Sequence, residues 1–259
     1  MGGRSMAAAI FGGLITIFIF AVSFAQAQAP TPDRPPVGGI GQLPDAMIFY
    51  VAHGAKGACG PGCSEWIAAE GAVKWDTHKR LINILDRTAG RKLPVVINAW
   101  GDSSFNVATS LGRLLRGRGI DTTMGPTEVE ACRGKSEADC FALKRQGGPL
   151  DATVKVPDNP CDNACVLILA GGVHRSLPAG SKVMLTGMGV HNRLGLNMTK
   201  DEQTGATARF DELFRIYLRE MGVGTEILDL MDKATNIRRR IELPPADWTR
   251  LRLVTETAL

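Results

Sequence analysis

Residues 160–172 read Pro-Cys-Asp-Asn-Ala-Cys-Val-Leu-Ile-Leu-Ala-Gly-Gly, and no other stretch narrows the possible folds as much. By pattern alone, so short an apolar run suits either a buried strand or a buried helix. The flanks favour the helix. Pro160 precedes it, Asp162 or Asn163 is an N-cap residue type, and Gly171-Gly172 is a stop. A buried helix that starts from a tight turn of small residues presents polar groups at a positive dipole end, where an oxyanion can be held. The same pattern also describes a plain core helix.

The chain has 259 residues, which suits one large domain or one domain plus a leader. With 44% apolar and 22% charged residues it has the composition of a globular protein. The net charge of +4 is mild, and the one basic cluster, Arg238 to Arg240, has no aromatic residues interleaved with it. It reads as a solvated face, and nucleic-acid binding is not expected. Arg4 followed by an uninterrupted apolar and small-residue segment, residues 7–24, and by Ala25-Gln26-Ala27 marks residues 1–27 as a signal peptide. The alternative is an uncleaved N-terminal membrane anchor, since the segment approaches spanning length. Residues 28–45 are rich in Pro and Gly and form a linker, leaving 46–259 as the folded domain.

Cys59, Cys63, Cys132, Cys140, Cys161 and Cys165 are an even set, as expected of a chain bound for an oxidising compartment. Sequence does not choose among the pairings, although the spacing suggests Cys132 with Cys140. Cys165, pointing inward from a buried helix, is alternatively a core thiol. A zinc site from Cys59, Cys63 and His53 is conceivable, but its spacing is loose and a fourth ligand is missing.

In the domain, residues 46–52, 66–73, 93–98, 120–124, 151–156 and 182–186 read as strands. Residues 93–98 are of the buried, parallel-sheet kind. Helical spacing covers 75–87, 105–116 (stopped by Gly117 and Gly119), 206–221 and 225–233. The stripe of the third of these helices is Phe210, Leu213, Phe214, Tyr217, Leu218 and Met221. Residues 127–148 look like a charged surface excursion stapled by a disulfide. The alternation of strand and helix indicates an α/β domain. Its 93–116 segment is a strand, tight turn and helix, which places backbone N–H groups at the carboxyl end of a sheet, where ligands tend to bind.

Three segments in this order resemble the Clp protease proteolytic subunit and its relatives in the crotonase-like superfamily, including signal-peptide peptidase A. Residues 96–105, Val-Ile-Asn-Ala-Trp-Gly-Asp-Ser-Ser-Phe, continuing into 111–117, are similar to the family's strand, Ser-Pro-Gly-Gly-Ser loop and helix. Residues 161–172 are similar to the helix that begins at the nucleophilic serine. Val190-His191, following a strand, is similar to the segment with the catalytic histidine. The similarity spans roughly residues 67–253, and the exported form resembles periplasmic proteins whose motif commonly reads Cys-x-Ser-Ala-Cys. The resemblance implies a crotonase-like fold of repeated ββα units.

Position by position, the resemblance puts the nucleophile at Asn163, the general base at His191 and the oxyanion loop at Gly101-Asp102. The acid position falls on Ala234 or Thr235, with Asp232 the nearest carboxylate. Asn has no ionisable hydroxyl, and an acyl-enzyme needs an activated Ser, Cys, Thr or equivalent. A carboxylate at Asp102 would repel an oxyanion unless turned away; as an N-cap of helix 105–116 it has a plainer role. The expectation is therefore a catalytically inactive, exported serine-peptidase homologue. It would be a peptide-binding or assembly module of the cell envelope, without cofactor or metal. Family relatives assemble into rings or trimers, so a homo-oligomer is also implied. The alternative is an active envelope peptidase or esterase with Ser103 or Ser104 as displaced nucleophile and His191 as base.

Overall fold

A computed structural model describes residues 46–187, 198–237 and 239–255. The leader (1–27) and the linker (28–45) expected from sequence lie outside the described residues, as does Arg238; Arg239 and Arg240 are exposed.

The domain is mixed α/β. Strands β1 (Ile48–His53), β2 (Glu65–Gly71), β3 (Val95–Ala99) and β4 (Thr122–Met124) form the centre of a six-stranded sheet. β1 is antiparallel to β2, while β2, β3 and β4 are mutually parallel. Both faces are buried, which is why β1 and β3 read as nearly continuous apolar runs. Phe49, Val51, Ile67, Ala69, Val95 and Ile97 face the main core, with α1 (Thr77–Arg87), α2 (Phe105–Arg118) and α4 (Asn163–Ala170). Ile48, Tyr50, Ala52, Trp66, Ala68 and Val96 face a second, smaller core with Val129 and Ala152.

That second core exists because the sheet curls. In the order β4-β3-β2-β1-β6-β5, the sequence neighbours β4 and β5 (Thr127–Val129) stand at opposite ends. Only Gly125 and Pro126 connect them, so the two ends must come together. β6 (Leu150–Val154) makes this possible. It pairs with β1 only at Ala52↔Leu150 and His53↔Asp151, and it pairs antiparallel with β5. The corner requires glycine: a Cβ on Gly125 would lie 2.8 Å from the Lys155 carbonyl oxygen.

Side chains close the curl. Thr127 of β5 donates its N–H to Glu70 Oε1 (3.1 Å), and its carbonyl accepts from Tyr50 Oη and Lys144 Nζ (both 3.4 Å). Lys144 Nζ also lies 2.6 Å from Glu70 Oε2, to which Tyr50 donates at 3.1 Å. Trp66 Nε1 reaches Thr127 Oγ1 at 3.1 Å. Glu70 is 4% exposed, so its charge depends on these partners. Burial, reinforced by the Glu70 carboxylate, raises the Tyr50 hydroxyl well above the ordinary phenol range, so it stays a donor. At the other edge, Thr122 of β4 is covered by residues 174–176, donating to His174 O (2.9 Å) and accepting from Ser176 N (3.1 Å).

The 127–148 excursion is stapled by Cys132–Cys140 as expected, and it also holds β5 and a helix, α3 (Glu137–Arg145), that the sequence does not announce. α2 runs through Gly117, where a side chain would meet open space, and stops only at Gly119, which is left-handed with φ 67°. α5 (Lys200–Glu220) buries Phe214, Tyr217 and Leu218, but Leu213, placed on the stripe by sequence, is 49% exposed. Tyr217 donates to Leu167 O (2.5 Å) through a gap that only Gly112 leaves open on α2. α6 (Glu226–Ile237), the hairpin of β7 (Val183–Leu185) and β8 (Ile241–Leu243), and α7 (Pro245–Arg250) complete the domain. Arg175, 3% exposed, ties the tail down by donating to the carbonyls of Gly172, Arg252 and Leu253. Burial, then the neighbouring Arg116, lowers Arg175 to about 10, so it stays charged at neutral pH.

The cysteines form three bridges, Cys59–Cys63, Cys132–Cys140 and Cys161–Cys165. Cys165 is thus bridged rather than a core thiol, because Cys161 sits one helical turn ahead of it. Among the described residues, no helix is long and apolar enough to cross a membrane.

Replacing Glu70 with Ala is expected to lower unfolding free energy by about 3 kcal/mol or more, since it strands the Lys144 ammonium and the Thr127 N–H. Urea denaturation followed by circular dichroism measures this.

Candidate functional site

The N-terminus of α4 is assembled from three short-range devices. Asp162 is the N-cap, its backbone extended and its Oδ1 accepting from Cys165 N at 3.1 Å. Burial raises the Asp162 carboxyl above the usual range, against the lowering effect of the backbone N–H bonds it accepts and of Arg240. The Cys161–Cys165 bridge fixes the first turn, and both of its residues are buried. Before the helix starts, Cys161 is a strand residue paired with β7: its N–H donates to Lys182 O (2.8 Å) and its carbonyl accepts from Met184 N (2.9 Å).

Asn163 continues that pairing by other means. In a parallel ladder, the next step after Cys161 would join residue 163 to Thr186 through the backbone. The chain has already turned into α4, so the backbone of Asn163 points along the helix. Its carboxamide stands in for the missing peptide. Oδ1 accepts from Thr186 N (3.0 Å) and Nδ2 donates to Thr186 O (2.8 Å). The side chain is 1% exposed, and its pairing is satisfied by one residue. A serine hydroxyl, one atom on a shorter arm, does not supply this two-point contact.

The loop that the resemblance aligns with an oxyanion loop follows β3. Gly101 turns it with φ 72°, and Gly101 and Asp102 are exposed. Asp102 is not the N-cap of α2. Ser104 is, with extended backbone and no side-chain capping bond, because the turn at Gly101 brings the chain into the helix two residues after Asp102. The Asp102 carbonyl accepts from Lys74 Nζ (2.8 Å). Ser103 Oγ accepts from Val73 N (2.9 Å) and donates to Trp100 O (3.3 Å), so its proton is committed to the turn. Ser104 N donates to Val73 O (2.8 Å).

Asp232 lies on the exposed side of α6. Its carboxyl is raised by partial burial and by Asp211, with Arg215 and Asp229 as its other charged neighbours, all on α5 and α6. Ala234 is buried in the core. His191 lies outside the described residues. The zinc reading of Cys59, Cys63 and His53 is overturned. The two sulfurs are bonded to each other, His53 Nε2 pairs with Asp151 Oδ1 (2.6 Å), and no group of three metal-ligating side chains stands together among the described residues.

Sequence reasoning missed Thr186, the partner that gives Asn163 its role. No local signal marks it, because the contact spans 23 residues of sequence. It also missed the Glu70 cluster, whose one hint was a charge inside the strand run 66–73. Comparison of the chain with family models, with curated proteins and with solved structures finds no match.

Asn163→Ala removes both contacts to Thr186 and leaves its buried peptide unpaired, so stability is expected to fall by about 2–4 kcal/mol. Asn163→Ser, keeping at most one contact, is expected to fall between that variant and wild type. Thermal and urea melts of the three proteins test the order.

Proposed function

We propose that this chain is a catalytically inactive homologue of the Clp-protease-like serine peptidases, with a crotonase-like fold, exported to the cell envelope. There it serves as a peptide-binding or assembly module. The observation that carries the reading is Asn163. At the position where the resemblance requires a nucleophile stands a carboxamide with no hydroxyl or thiol, spent on the Thr186 backbone. Loss of the nucleophile is not compensated by the remaining groups, since a base and an oxyanion loop only assist it.

Other features are consistent with the reading. Three disulfides suit an oxidising compartment. Parallel β2 and β3 end in a pair of loops on which the domain exposes Gly101 and Asp102, the type of place where α/β proteins bind ligands. Of the two hydroxyls on that loop, Ser103 is held by Val73 and Trp100, whereas Ser104 is exposed and makes no capping bond, so the alternative reading of an active enzyme would have to rest on Ser104.

A fluorophosphonate probe tests the proposal. Purified mature wild type is expected to stay unlabelled, and Asn163→Ser, checked by circular dichroism for folding, is expected to label slowly if His191 keeps its role as base. Labelling of wild type that disappears in His191→Ala would overturn the inactive reading and point to Ser103 or Ser104.

A further inference from the structure

The three disulfides differ in what the fold asks of them. Cys161–Cys165 fixes the first turn of α4 inside the core, where both residues are buried. Cys132–Cys140 joins the turn after β5 to α3. Cys59–Cys63 lies within residues 54–64, the connection from β1 to β2, whose ends are already joined. His53 stands opposite Glu65 in the antiparallel ladder, and Gly54 N donates to Ser64 O (2.9 Å). Further in, Gly57 N donates to Cys63 O (2.7 Å), Ala58 N to Ala55 O (3.0 Å) and Cys63 N to Gly60 O (3.0 Å). The backbone holds this connection in shape by itself, so opening its bridge leaves the fold standing.

The rim of that bridge is bare. Gly57, Gly60 and Gly62 take φ of 93°, 122° and 74°, and a Cβ on any of them would meet nothing within 4 Å. Pro61 and Gly62, between the two cysteines, are exposed. The cysteines themselves are unequal. Cys59 is 8% exposed and belongs to the second core, while Cys63 is half-buried at the edge of that core. One sulfur open to attack with its partner held behind it is the arrangement that thiol–disulfide exchange requires.

The same loop accommodates the reduced form. Glu65 O lies 3.4 Å from Cys63 Sγ and 3.8 Å from Cys59 Sγ, so a thiol at either position has an acceptor already in place. A reduced form that is itself stabilised makes the bridge a better oxidant. Lys56 is the one charged residue of 54–64, and a cation in the loop favours thiolate over thiol. Cys132–Cys140 is equally half-buried but differs on this count, since Cys140 follows Glu137 and Asp139 in the first turn of α3, and carboxylates disfavour a thiolate.

We propose that Cys59–Cys63 is a redox-active bridge that exchanges with the cysteine pairs of other proteins, with Cys63 as the sulfur attacked. A partner thiolate bonds to Cys63 Sγ, the Cys59–Cys63 bond breaks, and the Cys59 sulfur leaves as a thiolate that takes up a proton. The partner's second thiol gives up its proton and attacks the partner sulfur of the mixed disulfide, releasing Cys63. Two electrons and two protons pass to this chain, and the partner leaves with a disulfide. The reverse sequence, with a disulfide-bearing protein as oxidant, restores the bridge. The site uses none of the residues on which the inactive-peptidase reading rests, so the two stand or fall separately. The test sets the mature protein in glutathione buffers of graded composition, followed by acid quenching, alkylation and mass spectrometry of each bridge. Cys59–Cys63 should be half-reduced at a ratio of squared reduced to oxidised glutathione about tenfold or more lower than either other bridge. The oxidised protein should also form disulfides in reduced ribonuclease A, and a variant with Cys59→Ser and Cys63→Ser should not, while its circular dichroism stays that of wild type. Cys59→Ser alone should accumulate a mixed disulfide with oxidised glutathione, and Cys63→Ser alone should not. Reduction of Cys59–Cys63 no more readily than Cys132–Cys140 overturns the proposal, as does equal oxidation of ribonuclease A by wild type and the double variant. A mixed disulfide in Cys63→Ser but not in Cys59→Ser contradicts the assignment of Cys63.

Discussion

The two hydrogen bonds between the Asn163 carboxamide and the Thr186 peptide join the most buried helix of the domain to the end of β7. Everything local to α4 prepares that contact. Cys161 pairs with β7 as a strand residue, Asp162 caps the helix, and the bridge to Cys165 holds the first turn. The carboxamide then supplies one more rung of the ladder after the backbone has left it. A group so used is unavailable for chemistry on two counts, since it is buried and both its donor and its acceptor are satisfied. On the proposed reading, the contact that holds the fold here also stands where a nucleophile would be needed. A serine there would bring a hydroxyl and give up a rung.

A second constraint shapes the other side of the sheet. With only Gly125 and Pro126 between β4 and β5, the sheet has to curl, and a curled sheet needs its last strand fastened. Glu70, Tyr50 and Lys144 do this by bonding the outward N–H and C=O of Thr127, as a neighbouring strand would. The cost of burying the Glu70 charge is offset by three hydrogen-bonded partners. The outcome is that the outward backbone groups of Thr127 at this edge are already used.

How much of this was legible in the sequence follows the physics of each element. α4 was read to within a residue because its signals are local: Asp162 or Asn163 as cap, an apolar run, and a Gly-Gly end, with Asp162 the cap observed. The central strands β1 and β3 were read because burial on both faces makes them almost wholly apolar. β5 is three residues long and is bonded on its outer side by side chains distant in sequence, so no local pattern marks it. α3 buries none of its residues fully, so it has no apolar stripe to find. Gly117 misled as a stop because an exposed glycine with open space around it is only mildly costly in a helix, whereas Gly119 ends α2 by its left-handed backbone. In the site, residue types at 163, 101 and 102 were legible, but the bonding of Asn163 depends on a contact across 23 residues of sequence.

Amide hydrogen exchange at Thr186 tests the clamp most directly. In wild type the Thr186 N–H should be strongly protected, because its acceptor is a buried carboxamide. In Asn163→Ala that protection should be lost while the β3 amides, such as that of Ile97, keep theirs. A Thr186 amide that exchanges in wild type as freely as an exposed loop would contradict the account.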